Sequence, residues 1–413
     1  MIAVFLSLAV PHLWALVPER RADGSAEEFG WLVAPTPFRV EGIGSAVPIF
    51  LLLSNVYETT DLIAIQTLPG DDLEFSAAIV DELPVFTRHL MFSGGRFKAT
   101  VPFTLWNRGI DSDPEDTIQP LQEFDGSDAQ IRLLFWESRL EFFYKRFEGK
   151  ETTIKVFDRD GNLTSDEPTT RDFLGEGYGM VLDLTDDPID PRVGLRIGRK
   201  FRPVESETPD ISDILVTDTD LTGYIPLFGK DTLVLNFFTS TSSITRSGVT
   251  DEATARANLS QKCVAGTEAF DACIAGENKL VDDYLAYNRY GLATALGGIN
   301  RLRAYPEGRF KAGNSSFRAI EYRYNFSDKP KDINWFLLGG VNTLLQLAFF
   351  FEQGTVSEER LELNKNLRSS YGVGLRALVS SFVYRLDIAN GDEGTGVTLI
   401  IGYPMELNPV SGE

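Results

Sequence analysis

The side chains that most often carry catalysis are scarce in this chain. Histidine occurs twice, at His12 and His89, and cysteine twice, at Cys263 and Cys273. His12 lies in an apolar leader, so a Ser-His-Asp triad or an imidazole metal centre would rest on His89 alone, and no G-x-S-x-G occurs. The C-x9-C pair has neither zinc nor redox spacing. It reads either as a local disulfide pinning a loop of an exported chain or as two unrelated thiols. "DRDGNLTSDE" (158–167) offers Asp158, Asp160 and Asn162 as oxygen donors, but its glycine comes fourth instead of sixth and no glutamate is twelfth. An Asp-Gly turn at the tip of a hairpin accounts for it better. No enzymatic activity, metal or cofactor is expected.

Charge remains. "INRLRAYPEGRF" (299–310) carries Arg301, Arg303 and Arg309, a tyrosine and a Pro-Glu-Gly turn, with little to pack into a core. An arginine taken out of water needs a carboxylate that matches its fork of donors. The elements around the segment are therefore where its partners must lie.

Those elements alternate with period two. In "RAIEYRYNF" (318–326), Ile320, Tyr322, Tyr324 and Phe326 share one face, and Glu321 and Arg323 the other. In "SFVYRLDIA" (381–389), Phe382, Tyr384, Leu386 and Ile388 lie opposite Arg385 and Asp387. Glu352 is opposite Phe349 and Phe351, and Arg376 opposite Leu375 and Ala377. In "VTLIIGYPM" (397–405), Val397, Leu399, Ile401, Tyr403 and Met405 line one side. Sixteen or seventeen such strands are expected between 44 and 405, among them 138–147, 176–184, 284–292, 334–350 and 396–405. "NVYET", "LPGDD", "LVSS" and "NGDEG" read as tight turns, and 107–128, 148–175 and 243–283 as long, polar loops.

The totals narrow the class. The chain has 413 residues with 60 acidic and 39 basic side chains, a net charge of −21, which argues against a nucleic-acid partner. Mean hydropathy is −0.10, and no internal run approaches the ~18–20 apolar residues of a membrane helix. The chain is thus either soluble or a β-barrel that crosses a membrane with strands of about 10 residues. Charges facing hydrocarbon cost ~2–4 kcal/mol each at the midplane, so in a barrel the charged faces point into the lumen. Even strand numbers in bacterial barrels favour sixteen. "MIAVFLSLAVPHLWALV" (1–17) resembles a secretory signal without a basic n-region, the alternative being a buried N-terminal segment.

Five stretches in order, "DLTDDPIDPRVGLR", "TDTDLTGYIPLFGKDTLVLNFFTS", "LGGINRLRAYPEGRFKAGNSSFRAIEYRY", "SSYGVGLRALVSSFVYRLDIA" and "GVTLIIGYPM", resemble the bacterial surface antigen superfamily of BamA-, TamA- and TpsB-type outer-membrane barrels. The resemblance is good over 175–405 and rests on strand pattern alone over 30–175. It implies an all-β fold: a single transmembrane antiparallel barrel with an extracellular loop folded into the lumen. In that family the loop carries V-R-G-F/Y, matched by Leu302-Arg303-Ala304-Tyr305, with Gly308 in the turn that follows. The loop arginine is held by acidic wall side chains, one from an F-x-D-x-G strand; the match is Phe350 to Gly354, with Glu352 in the aspartate's place. Arg376 fits the family's G-x-G-x-R strand and Asp387 its R-L-D-x-A strand.

The resemblance further implies a transport or membrane-assembly pore gated by the loop, with Arg303 latched to Glu352 and Asp387. A passive solute channel or structural barrel is the alternative. Two departures stand out. Ala304 replaces the family glycine, removing freedom for a left-handed angle at the tip, and Met405 replaces the terminal aromatic ahead of "ELNPVSGE". Only a short segment (18–43) separates the leader from the expected barrel (44–405), with a tail at 406–413. That leaves no room for polypeptide-transport-associated domains. The expected partners are outer-membrane lipid and a separate periplasmic or client protein, around a monomeric barrel in the bacterial outer membrane.

Overall fold

The computed structural model describes residues 29–41, 43–57, 59–67, 73–260, 263, 270–326, 331–335, 338–379 and 382–405. The apolar leader, the "LPGDD" turn and the 406–413 tail lie outside the described residues.

Among the described residues the alternating stretches form one antiparallel sheet of 21 strand segments. The first are β1 (Gly30–Pro35), β2 (Phe38–Val40), β3 (Gly44–Ala46), β4 (Ile49–Tyr57), β5 (Thr60–Gln66), β6 (Glu74–Val85), β7 (Thr87–Pro102) and β8 (Leu105–Trp106). Next come β9 (Thr117–Phe135), β10 (Leu140–Asp158), β11 (Leu163–Ser165), β12 (Thr169–Asp183), β13 (Gly194–Val204), β14 (Asp213–Leu227) and β15 (Asp231–Arg246). Two helices follow, α1 (Glu252–Leu259) and α2 (Phe270–Tyr290). The chain then runs through β16 (Asn314–Asn325), β17 (Lys331–Trp335), β18 (Leu338–Ser357), β19 (Arg368–Val379), β20 (Phe382–Gly391) and β21 (Gly394–Ile401).

The long segments pair as a meander from β4 to β21, with β8, β11 and β17 as short hairpin additions. β1 and β2 lie along β4 and β3. They also reach the C-terminal side: Arg39 of β2 pairs with Leu399 of β21, and Trp31 and Leu32 of β1 pair with Gly339 and Leu338 of β18. Successive connections alternate between two rims, and the segment 247–313, with both helices, sits on the same rim as the 103–116 and 358–367 loops.

Four expectations need correction. The ladder begins at Gly30, not at 44, because Pro35 and Pro37 interrupt the alternation that would have marked β1 and β2. Neither 148–175 nor the second half of 107–128 is a loop: β10 and β12 stay in register from Leu140↔Leu182 to Thr153↔Thr169, and β9 begins at Thr117, its polar residues pairing with β7 and β10. The upper part of β10 and β12 is polar because it is braced by ion pairs such as Arg171–Glu151 at 2.8 Å. Residues 284–290 end a helix instead of starting a strand; Val281 and Leu285, four apart, bury against Ala255 of α1. Finally, "NGDEG" connects strands on the long-loop rim, so turn length does not separate the rims cleanly. The opposite rim has its own ordered ten-residue connection at 184–193.

Candidate functional site

The 299–310 segment is the inward-folded end of the 247–313 connection. Leu296 and Phe310 exchange backbone hydrogen bonds at 2.8 Å in both directions, closing the tip into a narrow loop. Leu302, Tyr305 and Phe310 are completely buried, and Tyr305 and Phe310 meet edge to face with centroids 5.0 Å apart. The left-handed residue within the motif is Leu302, at φ 53, with a second at Gly308, at φ 71. Ala304 is not left-handed, so the family glycine's conformational freedom is not used at this position. Room is made on the wall instead. A Cβ on Gly396 would come within 2.7 Å of the Arg303 carbonyl oxygen.

Arg303 sits among three carboxylates from three strands. Its Nε donates to Glu352 of β18 at 2.8 Å, Nη1 to Asp387 of β20 at 2.8 Å, and Nη2 to Glu321 of β16 at 3.1 Å. Its backbone N–H donates to the second Glu352 oxygen at 2.9 Å, and the guanidinium lies 3.5 Å over the Phe350 ring. Period two explains the convergence: Glu321 and Glu352, on the neighbouring β16 and β18, and Asp387, on β20 one strand beyond β19, fall on one face of the sheet. The register sets small residues opposite them, Ala319 and Ser370 across from Glu352, and Gly374 and Thr398 across from Asp387. The space those neighbours leave is filled by the guanidinium.

Glu321 is a second node. Arg323 Nε donates to it at 2.8 Å, and Arg376 donates through Nη1 at 2.8 Å and Nη2 at 2.6 Å. Arg385 donates to Asp387 at 3.2 Å and to the Ile299 carbonyl at 2.9 Å. Arg303, Arg323, Arg376 and Arg385 thus face Glu321, Glu352 and Asp387, an excess of one positive charge in a cluster whose side chains are at most 2% exposed. Charges this deeply desolvated persist only because each has partners at hydrogen-bond distance.

The other two arginines of the segment are anchored as well. Arg301 lies 3.6 Å from Asp220 of β14 and stacks on Phe238 at 3.6 Å. Arg309 donates to both Glu393 oxygens at 2.7 and 2.8 Å, and to the Ser112 carbonyl at 2.6 Å. Ala304 N–H donates to Ser370 Oγ at 3.1 Å, and the Tyr305 hydroxyl to Asp392 and the Ser369 carbonyl. At the base, Arg108 bonds Glu358 at 2.8 and 3.0 Å and the Gly291 carbonyl at 2.8 Å. Cys263 and Cys273 form a disulfide between the α1–α2 connection and α2.

Sequence reasoning missed Asp220, Glu358 and Glu393. Glu393 was hidden inside "NGDEG", which reads as turn chemistry alone; Asp220 could have been found from its parity with Asp218 in "TDTDLTGY". Tyr403 and Met405 are expected to continue the side of the last strand lined by Val397, Leu399 and Ile401, and they do not. β21 ends at Ile401, Gly402 turns at φ 118, and both side chains are buried inside, 5% and 2% exposed. His89 is remote from the cluster, its ring nitrogen 3.0 Å from the Leu134 carbonyl. Among the described residues no group of His, Cys, Asp and Glu is arranged to hold a metal. The "DRDGNLTSDE" stretch is a small hairpin in which Asp158 accepts the backbone N–H groups of Asp160 and Asn162.

No family model matches the sequence, and no curated protein does. Several solved structures are similar, among them the following three. BamA from Haemophilus ducreyi lacking POTRA domains 1–3 aligns at 10% identity over 91% of this chain and 69% of that one, TM-score 0.46. CdiB from Escherichia coli aligns at 10% identity over 90% and 61%, TM-score 0.49. CdiB from Acinetobacter baumannii aligns at 12% identity over 90% and 59%, TM-score 0.44. The chain therefore spans about three fifths of the length of the two CdiB proteins.

Proposed function

We propose that the chain is an outer-membrane β-barrel of the bacterial surface antigen superfamily, working as a transport or membrane-assembly pore whose lumen is closed by the 299–313 loop. The observation that carries this reading is Arg303, delivered by a loop into the middle of Glu321, Glu352 and Asp387. A loop that served only to connect β15 and β16 would have no reason to desolvate three arginines. Taking β1 with β2 and β3 with β4, and counting β8, β11 and β17 as hairpin additions, the meander gives sixteen staves. In this reading the ring closes where Arg39 of β2 pairs with Leu399 of β21. The long-loop rim is the extracellular one in this reading.

Outward-facing apolar side chains support membrane insertion. Tyr371, Val373 and Leu375 on β19, and Phe349 and Phe351 on β18, are each more than 40% exposed. Such a band on a monomer in water would be an aggregation surface; in a bilayer it is the solvated face.

Purified wild type and Arg303→Ala, reconstituted in planar bilayers, test the reading. A mostly closed wild type and a variant with long-lived openings are expected. A large, steady pore unaffected by the substitution would overturn the latch and assign a passive channel. A compact monomer soluble without detergent would overturn the barrel.

A further inference from the structure

We infer that the four residues after the last strand, Gly402–Met405, form a clip that ties release of the loop to movement of the end of β21. This rests on the reading of the loop as a gate. Gly402 donates its N–H to the Val383 carbonyl at 2.8 Å and, at φ 118, turns the chain off the wall into the interior. Tyr403 then lies beneath two of the three arginines that hold Glu321. Its ring centre is 4.3 Å from the Arg323 guanidinium carbon and 5.2 Å from that of Arg376. Arg323 Nη1 and Arg376 Nε have no hydrogen-bond acceptor, so the aromatic face supplies part of what burial removed from these cations. The phenol hydroxyl donates to Asp190 at 3.1 Å, fastening the segment to the 184–193 connection on the opposite rim.

Two residues on, Met405 grips the loop itself. Its N–H donates to the Asn300 carbonyl at 3.2 Å, three residues from Arg303. Its own carbonyl accepts from Asn236 Nδ2 at 3.4 Å. Its side chain packs in the same buried cluster as Leu302 and Tyr305.

The geometry sets an order of events. Leu399, the β21 residue that pairs with Arg39, is only four residues ahead of Tyr403. Swinging the end of β21 away from β2 draws Tyr403 from beneath Arg323 and Arg376 and breaks the Met405–Asn300 bond. The loop cannot leave while that bond and the ring remain. Seam opening and loop release are thereby one transition instead of two.

The test uses the full chain, with heat-modifiable gel migration reporting folding. Tyr403→Ala, Tyr403→Phe and Arg303→Ala are compared by bilayer conductance and by trypsin cleavage within 299–313. Tyr403→Ala should raise both at least several-fold, toward the Arg303→Ala values. Tyr403→Phe, which keeps the ring, should stay close to wild type. Wild-type behaviour of Tyr403→Ala beside an open Arg303→Ala overturns the clip and leaves the latch standing. Wild-type behaviour of Arg303→Ala overturns the latch and the clip with it. Asn300→Cys/Met405→Cys, in an Arg303→Ala/Cys263→Ser/Cys273→Ser background that opens, gives a second measure that does not depend on the Tyr403 variants folding. Oxidation should suppress openings and reduction restore them; equal opening in both states overturns the proposal.

Discussion

The inner wall of the sheet has two characters. Along β4 to β7 it is apolar: Phe50 and Leu52 pair with Ile65 and Ile63, which pair with Ala77 and Ile79, then Phe97 and Gly95. Its few polar side chains bond one another, Ser54 to Asp61 at 2.8 Å and Ser93 to Asp81 at 2.5 Å. Most of these residues are only half-buried, because the wall there is a single layer. Along β16 to β20 the wall is charged and covered, with the loop and the Gly402–Met405 segment packed against it. The same architecture thus has one side that needs no partner and one that is unstable without it. A bare apolar face loses little when nothing touches it, whereas a buried carboxylate triad without its arginine is strongly destabilised.

That contrast predicts unequal responses to truncation. Arg303→Ala should cost the most, about 3–5 kcal/mol, because it leaves Glu321, Glu352 and Asp387 buried with too few donors. Urea unfolding of the detergent-solubilised protein measures it, and a loss below about 1 kcal/mol would erase the distinction between the two walls. Arg303→Lys sharpens the point: a point charge cannot serve three acceptors in three directions, so it should recover only part of the loss. On the apolar side, Leu52→Ala should cost roughly 2 kcal/mol, the low end for a buried leucine, since a wall one layer thick relaxes around the gap. It should leave bilayer conductance at the wild-type level.

The same contrast decided what could be read from the sequence. In β16, β18, β19 and β20 a charge on alternate positions marks one face as polar, and in a bilayer turning that face outward would cost ~2–4 kcal/mol per charge. Parity alone groups Glu321, Arg323, Glu352, Arg376, Arg385 and Asp387 on the faces opposite the bulky apolar side chains, and all six are buried. "IFLLLS" and "LIAI" are apolar on both faces, so period two carries no information there beyond the presence of a strand. Tyr403 and Met405 failed for a different reason: Gly402 ends the alternation, and a one-residue turn reverses the side on which every later side chain lies. The end of helix α2 reads as a strand because Leu285 and Tyr287 fit a period of two within 284–292, whereas the helical series Val281, Tyr284 and Leu285, at i, i+3 and i+4, starts before that window.

The base of the loop, outside both walls, should respond least. Asp251 caps α1 by accepting the Thr254 N–H at 2.9 Å and hydroxyl at 2.7 Å, bonds that hold its carboxyl below the usual range. Asp251→Ala should cost about 1 kcal/mol, read as faster hydrogen exchange confined to α1. The smallest effect concerns Asp116, whose carboxylate accepts the Lys279 ammonium at 3.0 Å through both oxygens and is lowered chiefly by that bond. A carboxyl lowered in the folded state contributes its stability above the unfolded value and loses it as pH falls through the folded one. Protease cutting of the 103–116 loop should therefore speed up only on acidification below the ordinary aspartate range. Lys279→Ala should bring the cutting rate at neutral pH up to the acid rate and flatten the profile. If the loop instead loosened near neutral pH in the wild type, the tie to α2 would not be what holds it.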